Sequence, residues 1–341
     1  MILSNEERFK LVKRNTSEIV SEEELMNLLK KKKNPVVYWG TAVTGKPSLA
    51  YFFPILKLSD FSKAGFKVKI LLADLHGALD GTPWLILEHR YDYYKEAITQ
   101  ILKALGTDLK KIEFVKGSEF QLGHEYMYDV LKIASMASVH DCKKAASEVV
   151  KMGDNPMLGG LIYPIMQALD EQYLGVDIQF GGLDQRKILM FARENLPKAG
   201  YDRRVEVMNP MIQGLIGKKM SSSDPKSKID LTDDEKTIKD KVNYSYCMEG
   251  NSDCGIMEFL KYVIMTIKSD NKEKFSVERA DKFGGNVDYS NYNDIEKDFL
   301  EKKLHPMDLK NAVAKEIILL LDKVDKKKLN ELAKKAYTTL N

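Results

Sequence analysis

Six consecutive residues, Lys218, Lys219, Met220, Ser221, Ser222 and Ser223, hold two cations and three hydroxyls between Gly217 and the pair Asp224, Pro225. Those flanks predict an exposed, mobile loop. Such a loop can neutralise and hydrogen-bond a polyphosphate as its charge redistributes; taken alone, the segment also reads as a phosphorylatable linker. A second phosphate candidate runs from Gly40 to Lys46 and matches the G-x-x-x-x-G-K spacing of a phosphate loop. The next residue is Pro47, where a Mg²⁺-binding Ser or Thr belongs, and proline offers neither hydroxyl nor N–H. Ser48 comes one place late. What survives is a glycine loop feeding a helix N-terminus, a favourable place for phosphate. Finally, Tyr163, Gln167 and Asp170 fall at i, i+4 and i+7 and share one helix face. If that face is buried, three polar groups need partners, and an amino-acid substrate would supply them. The alternative is a face turned to solvent, because Glu171 and Gln172 make the other side polar as well.

Alternating elements must position these groups. Ser21 with Glu24 reads as a capping-box pair opening a helix through about Lys33. Pro35 to Trp39 predicts a buried strand, Gly40 to Pro47 a loop, and Ser48 to Ala64 a helix. Further strands are predicted at Lys67 to Ala73, near Lys111 to Lys116, and at Val176 to Phe180. Helices are expected around 84–105 and 125–151, at Leu161 to Tyr173, and at Asp184 to Glu194. That alternation implies an α/β fold whose parallel sheet is covered on both faces. After about Thr232 helical periodicity dominates, as in Met257 to Ile267 and Leu309 to Leu321, so a boundary is expected in the polar loop Gly217 to Ser227. The predicted domains are 1–227 and 228–341.

Composition narrows the class of protein. The 341 residues are 44% hydrophobic and 30% charged, as expected of a globular chain with a sizeable core. No run of eighteen apolar residues predicts a membrane span. Three widely spaced cysteines, Cys142, Cys247 and Cys254, predict free thiols in a reducing cytoplasm. No Cys/His cluster has zinc-site spacing, so no metal ligand set is assigned to the chain. A net charge of +3 does not announce a nucleic-acid binder, and any RNA contact would be made through local patches.

The segment Lys219 to Ser223 resembles the second signature loop of the class I aminoacyl-tRNA synthetases, and Pro47 to Tyr51 occupies the place of their first. Leu161 to Lys187, with Tyr163, Gln167, Asp170 and the stretch Phe180 to Lys187, is similar to the tyrosine-specific members of the archaeal and eukaryotic branch. The resemblance runs from about Asn34 to about Val313. It implies a doubly wound, Rossmann-like catalytic domain with an acceptor-stem and dimer insertion at about 117–160, followed by a mainly helical anticodon-binding domain. It also implies activation of L-tyrosine with ATP, Mg²⁺ accompanying the nucleotide, and transfer of tyrosine to tRNA by a cytoplasmic homodimer with no membrane or DNA partner. By resemblance, Tyr163, Gln167 and Gln185 hold the substrate ammonium, while Tyr38 and Asp170 meet its hydroxyl. Gly40, Gly45, Lys46, Ser48, Lys219 and Met220 contact ATP. Lys219, Ser221, Ser222, Ser223, Ser48 and Tyr51 assist the chemistry, and Phe283, His305 and Asp308 read the anticodon.

One departure is that Ser48 stands where the family usually has the first histidine of its first signature; Tyr51 takes the second histidine position. Serine can donate to a phosphate oxygen, with a shorter reach than imidazole. Three other readings stay open: a synthetase-like RNA-binding or signalling protein without catalysis, a tryptophan-specific enzyme, and a phosphate-loop NTPase, which Pro47 disfavours.

Overall fold

The computed structural model describes residues 3–150, 153, 155–214 and 228–338. Among them six strands form one sheet: β1 (Glu18–Ile19), β2 (Val36–Ala42), β3 (Lys67–Ala73), β4 (Ile112–Lys116), β5 (Ile178–Gly182) and β6 (Val205–Asn209). Their order is β1-β6-β5-β2-β3-β4, parallel throughout except for the antiparallel edge strand β1. From β2 the chain winds outward through β3 and β4, then returns to the other side of β2 with β5 and β6. The order therefore reverses between β2 and β5, as in a doubly wound, Rossmann-like sheet. The predicted strands β2 to β5 appear within a few residues of expectation, while β6 and the short β1 were not anticipated.

Side-chain alternation along β2 sorts its residues between two layers. Val37 and Trp39 join a large core with Val68, Ile70, Leu72, Ile178 and Phe180, under the helices Phe52–Lys63 and Leu87–Ala104. Tyr38 points to the opposite face, with Leu71, Ala73, Leu174 and Val176. On that face the register aligns Lys69, Tyr38, Gln179 and Glu206 across four strands, a polar row beside the apolar Leu71 and Ala73. The helix Leu158–Tyr173 belongs to this layer, with Tyr163 and Leu169 in a core shared with His124–Ala134, Val139–Ala146 and Arg186–Asn195. The helix expected over 125–151 is therefore two helices, with Ser138 capping the second by accepting from Asp141 N at 3.1 Å.

Beyond residue 228 helices predominate, with a π turn at Leu260–Ile264 inside the run 255–271. They are joined by an unanticipated two-stranded ribbon, β7 (Phe275–Val277) paired antiparallel with β8 (Val287–Tyr289). The large core continues without a break into these helices, reaching Ile256, Phe299, Val313 and Ala336. Arg14 also ties the two regions, donating to Asp60 on one side and to Asp270 Oδ1 at 2.6 Å on the other. No helix among the described residues is long and apolar enough to cross a membrane.

Candidate functional site

At the C-terminal ends of β2 and β5, where the strand order reverses, lies a cleft of about 490 Å³. Ligands of open α/β sheets bind at such a point because the diverging loops leave a crevice there. Ten residues singled out from the sequence line it together: Tyr38, Gly40, Gly45, Lys46, Ser48, Tyr51, Tyr163, Gln167, Asp170 and Gln185. Lys219, Met220, Ser221, Ser222 and Ser223 lie outside the described residues. The chain on either side, Asn209 to Ile212 and Lys228, lines the same cleft.

Tyr38 and Asp170 are both fully buried at its deep end. Tyr38 Oη accepts from Gln179 Nε2 at 2.7 Å, and its own proton makes only a long 3.4 Å contact with Gln167 O. Asp170 Oδ1 accepts from Gln121 Nε2 and from the Tyr126 hydroxyl, each at 2.8 Å. Its Oδ2 has no hydrogen-bond partner among the described residues and stands 3.8 Å from His76 Nε2, which likewise has none there. Burial dominates the charge state here. It pushes the Asp170 carboxyl up to about 8, against the pull of the two hydrogen bonds, and pushes His76 down to about 4. At neutral pH the imidazole is uncharged, so the His76–Asp170 approach is no ion pair. Tyr38 is driven well above the ordinary phenol range by burial and then by the charges of Asp170 and Glu171.

The solvent-facing alternative for this helix is overturned, since Tyr163 and Asp170 are buried. Glu171, one of the two residues that favoured it, is fully buried as well, and neither of its carboxylate oxygens has a hydrogen-bond partner among the described residues. Nearer the opening, Gln167 Nε2 donates to Gln185 Oε1 at 3.2 Å, bringing together two of the groups expected to hold an ammonium. Tyr163 sets its ring edge-on to His76, with centroids 4.5 Å apart. A Cβ at Gly182 would sit 2.5 Å from Asp184 Oδ1, so any larger residue there would have to displace the Asp184 carboxylate.

The glycine segment expected as a loop from Gly40 begins inside β2, which runs on to Ala42, so the loop proper starts at Val43. Ser48 is buried and forms an isolated bridge with Asp230, and Leu49 N donates to Ile229 O at 2.9 Å. The first signature segment is thus pinned to the chain that follows the second. Tyr51 packs edge-on against Trp39 and Tyr94 and pairs its hydroxyl with Thr41 Oγ1 at 3.0 Å. Tyr337 Oη donates to Gly45 O at 2.9 Å, and Tyr94 Oη bonds the same oxygen. Gln121, Tyr126, His76 and Gln179 were missed from sequence. Only Gln179 carried a signal, as a lone amide inside the apolar strand Ile178 to Phe180, where a buried polar group needs a partner.

The remaining predicted residues form a second region far along the chain. Phe283 is 62% exposed at the end of a short 3₁₀ turn, followed by Gly284 and Gly285, both with positive φ. His305 caps the helix Pro306–Leu321, its Nδ1 accepting from Met307 N at 3.2 Å, and Asp308 lies half-buried in the first turn.

A doubly wound sheet with a cleft at its switch point, lined by both apolar and polar side chains, defines an α/β protein of the Rossmann-like class. Residues 30–322 match the family described as tRNA synthetases class I (W and Y), and the chain belongs to that family. Among its relatives, the cytoplasmic tyrosine–tRNA ligase of Gallus gallus is 46% identical over 97% of this chain and 63% of its own length. The cytoplasmic tyrosine–tRNA ligase of Saccharomyces cerevisiae is 43% identical over 97% of this chain and 88% of its own. A tyrosyl-tRNA synthetase from Archaeoglobus fulgidus, solved in complex with L-tyrosine, superposes with a TM-score of 0.89 at 39% identity, covering 96% of this chain and all of that one. The present chain spans under two thirds of the length of the vertebrate relatives it matches.

Proposed function

We propose that this chain is a tyrosine–tRNA ligase that activates L-tyrosine with ATP and transfers it to the 3′ end of tRNA(Tyr) in the cytoplasm. The observation that carries the specificity is the buried pair at the deep end of the cleft. Tyr38 has a proton to give, and Asp170 has an oxygen with no partner among the described residues. A phenolic hydroxyl accepts from the first and donates to the second. Phenylalanine leaves both unpaired, and a buried unpaired polar group is costly. Tyr163, Gln167 and Gln185 then face the ammonium.

In the first step a tyrosine carboxylate oxygen attacks the α-phosphorus, and the bond to pyrophosphate breaks. In the second, a ribose hydroxyl of the tRNA terminus attacks the adenylate carbonyl and AMP leaves. Neither step needs a covalent enzyme intermediate, so the protein contributes position and charge stabilisation. Gly40, Gly45, Lys46, Ser48, Lys219 and Met220 hold the nucleotide. Lys219 and the three serines after Met220 meet the leaving pyrophosphate, while Ser48 and Tyr51 complete the first signature. Mg²⁺ would accompany the ATP phosphates as part of the nucleotide substrate.

Phe283, His305 and Asp308 read the anticodon; an exposed ring can stack on an unpaired base. The division into a catalytic part through residue 227 and an anticodon part from 228 follows these roles. Exposed Leu122, Tyr128, Leu131 and Val139 give the 117–160 segment an apolar surface suited to a second copy of the chain. Tyrosine-dependent exchange of pyrophosphate into ATP, followed by charging of tRNA(Tyr), tests the whole reading. ATP hydrolysis that ignores tyrosine would sink it.

A further inference from the structure

The two segments that carry Phe283 and His305 are twenty-two residues apart, yet a single guanidinium joins them. Arg279 Nε donates to Gly285 O and Arg279 Nη1 to Lys303 O, each at 2.9 Å. Its backbone N–H is held as well, donating to Asn286 Oδ1 at 2.9 Å. The first segment is shaped for this contact. Phe283 N donates to Ala280 O, and Gly284 and Gly285 follow with φ of +96° and +69°. That left-handed pair lets the chain reverse behind the exposed ring. On the other side, Lys302 with φ +59° closes the turn before Leu304, which is fully buried, and His305, which caps the next helix.

We propose that Arg279 is a positioning residue for RNA recognition, fixing the spacing between the Phe283 loop and the His305–Asp308 helix start. The proposal rests on the anticodon reading given above. Among the described residues Arg279 forms no ion pair with a carboxylate, so its fork serves two main-chain carbonyls from different segments. A planar fork can satisfy both at once, whereas a lysine ammonium is a point donor on a flexible stem. Without the bridge, each segment keeps its own turn but loses a fixed distance to the other. A base stacked on Phe283 and a base edge met by Asp308 then no longer fit together.

The test compares Arg279→Met, Arg279→Lys and Phe283→Ala in the full chain, reading tRNA charging and tyrosine-dependent pyrophosphate exchange. Arg279→Met removes both side-chain bonds and should raise KM for tRNA by about tenfold, the scale of one weakened stacking contact, with kcat and exchange retained. Arg279→Lys should show nearly the same defect. Adding Phe283→Ala to Arg279→Met should cost less than the sum of the two, because both act on one contact. An unchanged KM in Arg279→Met, where Phe283→Ala raises it, overturns the role of Arg279 and leaves anticodon reading standing. Full rescue by lysine also overturns it, since charge toward RNA and not bridging would then be what matters. If Phe283→Ala leaves charging untouched, the anticodon reading fails and this proposal fails with it. Loss of exchange together with charging in Arg279→Met would show a general structural role and likewise refute local positioning.

Discussion

Tyrosine binding should release a proton at neutral pH. Burial pushes Asp170 up to about 8, so at pH 7 the empty cleft holds it mainly as the acid. Tyr38 accepts from Gln179 and has its own proton to offer, so a substrate hydroxyl that accepts from Tyr38 must donate to Asp170. Oδ1 already accepts two hydrogen bonds, so the hydroxyl meets Oδ2, which accepts most strongly as the carboxylate. The groups facing Asp170 do not titrate in the window: His76 is held near 4, and Tyr38, Tyr126 and Tyr163 are all pushed above the ordinary phenol range. Linkage then fixes the sign: below pH 8 each pH unit of acid costs about tenfold in tyrosine affinity. Between pH 8 and pH 6 the affinity should fall about fiftyfold, allowing for half-ionisation at the upper limit.

Titration calorimetry in buffers of different ionisation heat measures the proton directly, and close to one proton per tyrosine should leave at pH 7. Asp170→Asn should bind more weakly at pH 8 and lose the slope. An affinity flat from pH 6 to 8, with no proton released, would show that the acid form of Asp170 binds the hydroxyl, and the assignment of donors would be wrong. A slope that persists in Asp170→Asn would move the titrating group elsewhere, with Glu206 and Glu171 the nearest candidates.

Asp170, Glu171 and Glu206 all have carboxyls raised chiefly by burial, Glu206 to about 7. The folded chain therefore binds protons that the unfolded chain has released, so urea midpoints should fall as pH rises from 5 to 8. Glu206→Gln should flatten part of that fall, and an unaltered profile would remove Glu206 from the account. Arg14→Met leaves Asp60 buried with only Lys57 Nζ, 3.7 Å away, and should cost about 3 kcal/mol by equilibrium unfolding; a loss within error would make the bridge ornamental. Lys219→Ala should slow adenylate formation by about 10²–10³ with tyrosine affinity retained. Collapse of affinity at an intact rate would mean the loop has another job.

The elements best read from sequence are those with the strongest local signals. β2 and β3 are apolar runs bounded by Pro35 and by glycine, and the helix Leu158–Tyr173 has clear 3.6-residue periodicity around Tyr163, Gln167 and Asp170. β6 was missed because Glu206 interrupts its apolar pattern, and that side chain is buried only through its neighbours in the fold. β7 and β8 are three residues each, too short for any period to show. Within the site, the residues that line the cleft were legible through resemblance, but those that hold Asp170 were not. Gln121 and Tyr126 lie more than forty residues before it, and only the folded chain brings them to 2.8 Å. Phe283 ran against its chemistry, since a phenylalanine is ordinarily a core residue; two glycines with positive φ turn the chain so that the ring stays outside.

The same row explains why the reading from residue types undervalued this region. Lys69, Tyr38, Gln179 and Glu206 cross the sheet in register, beneath a helix that adds Asp170 and Glu171. Aliphatic residues in those places would bury more easily, and sequence patterns are read on that assumption. Several polar atoms of this layer, among them Asp170 Oδ2, Gln179 Oε1 and both Glu171 carboxylate oxygens, have no hydrogen bond among the described residues. Each is a cost to stability in the chain alone. On the proposed reading one of them is met by the substrate: a phenolic hydroxyl completes Asp170 Oδ2 and uses the Tyr38 proton, so binding recovers part of what folding gave up. A layer tuned for stability would not distinguish tyrosine from phenylalanine. On the proposed reading, polar groups left incomplete at the deep end of the cleft do so by the penalty they would impose on the wrong amino acid.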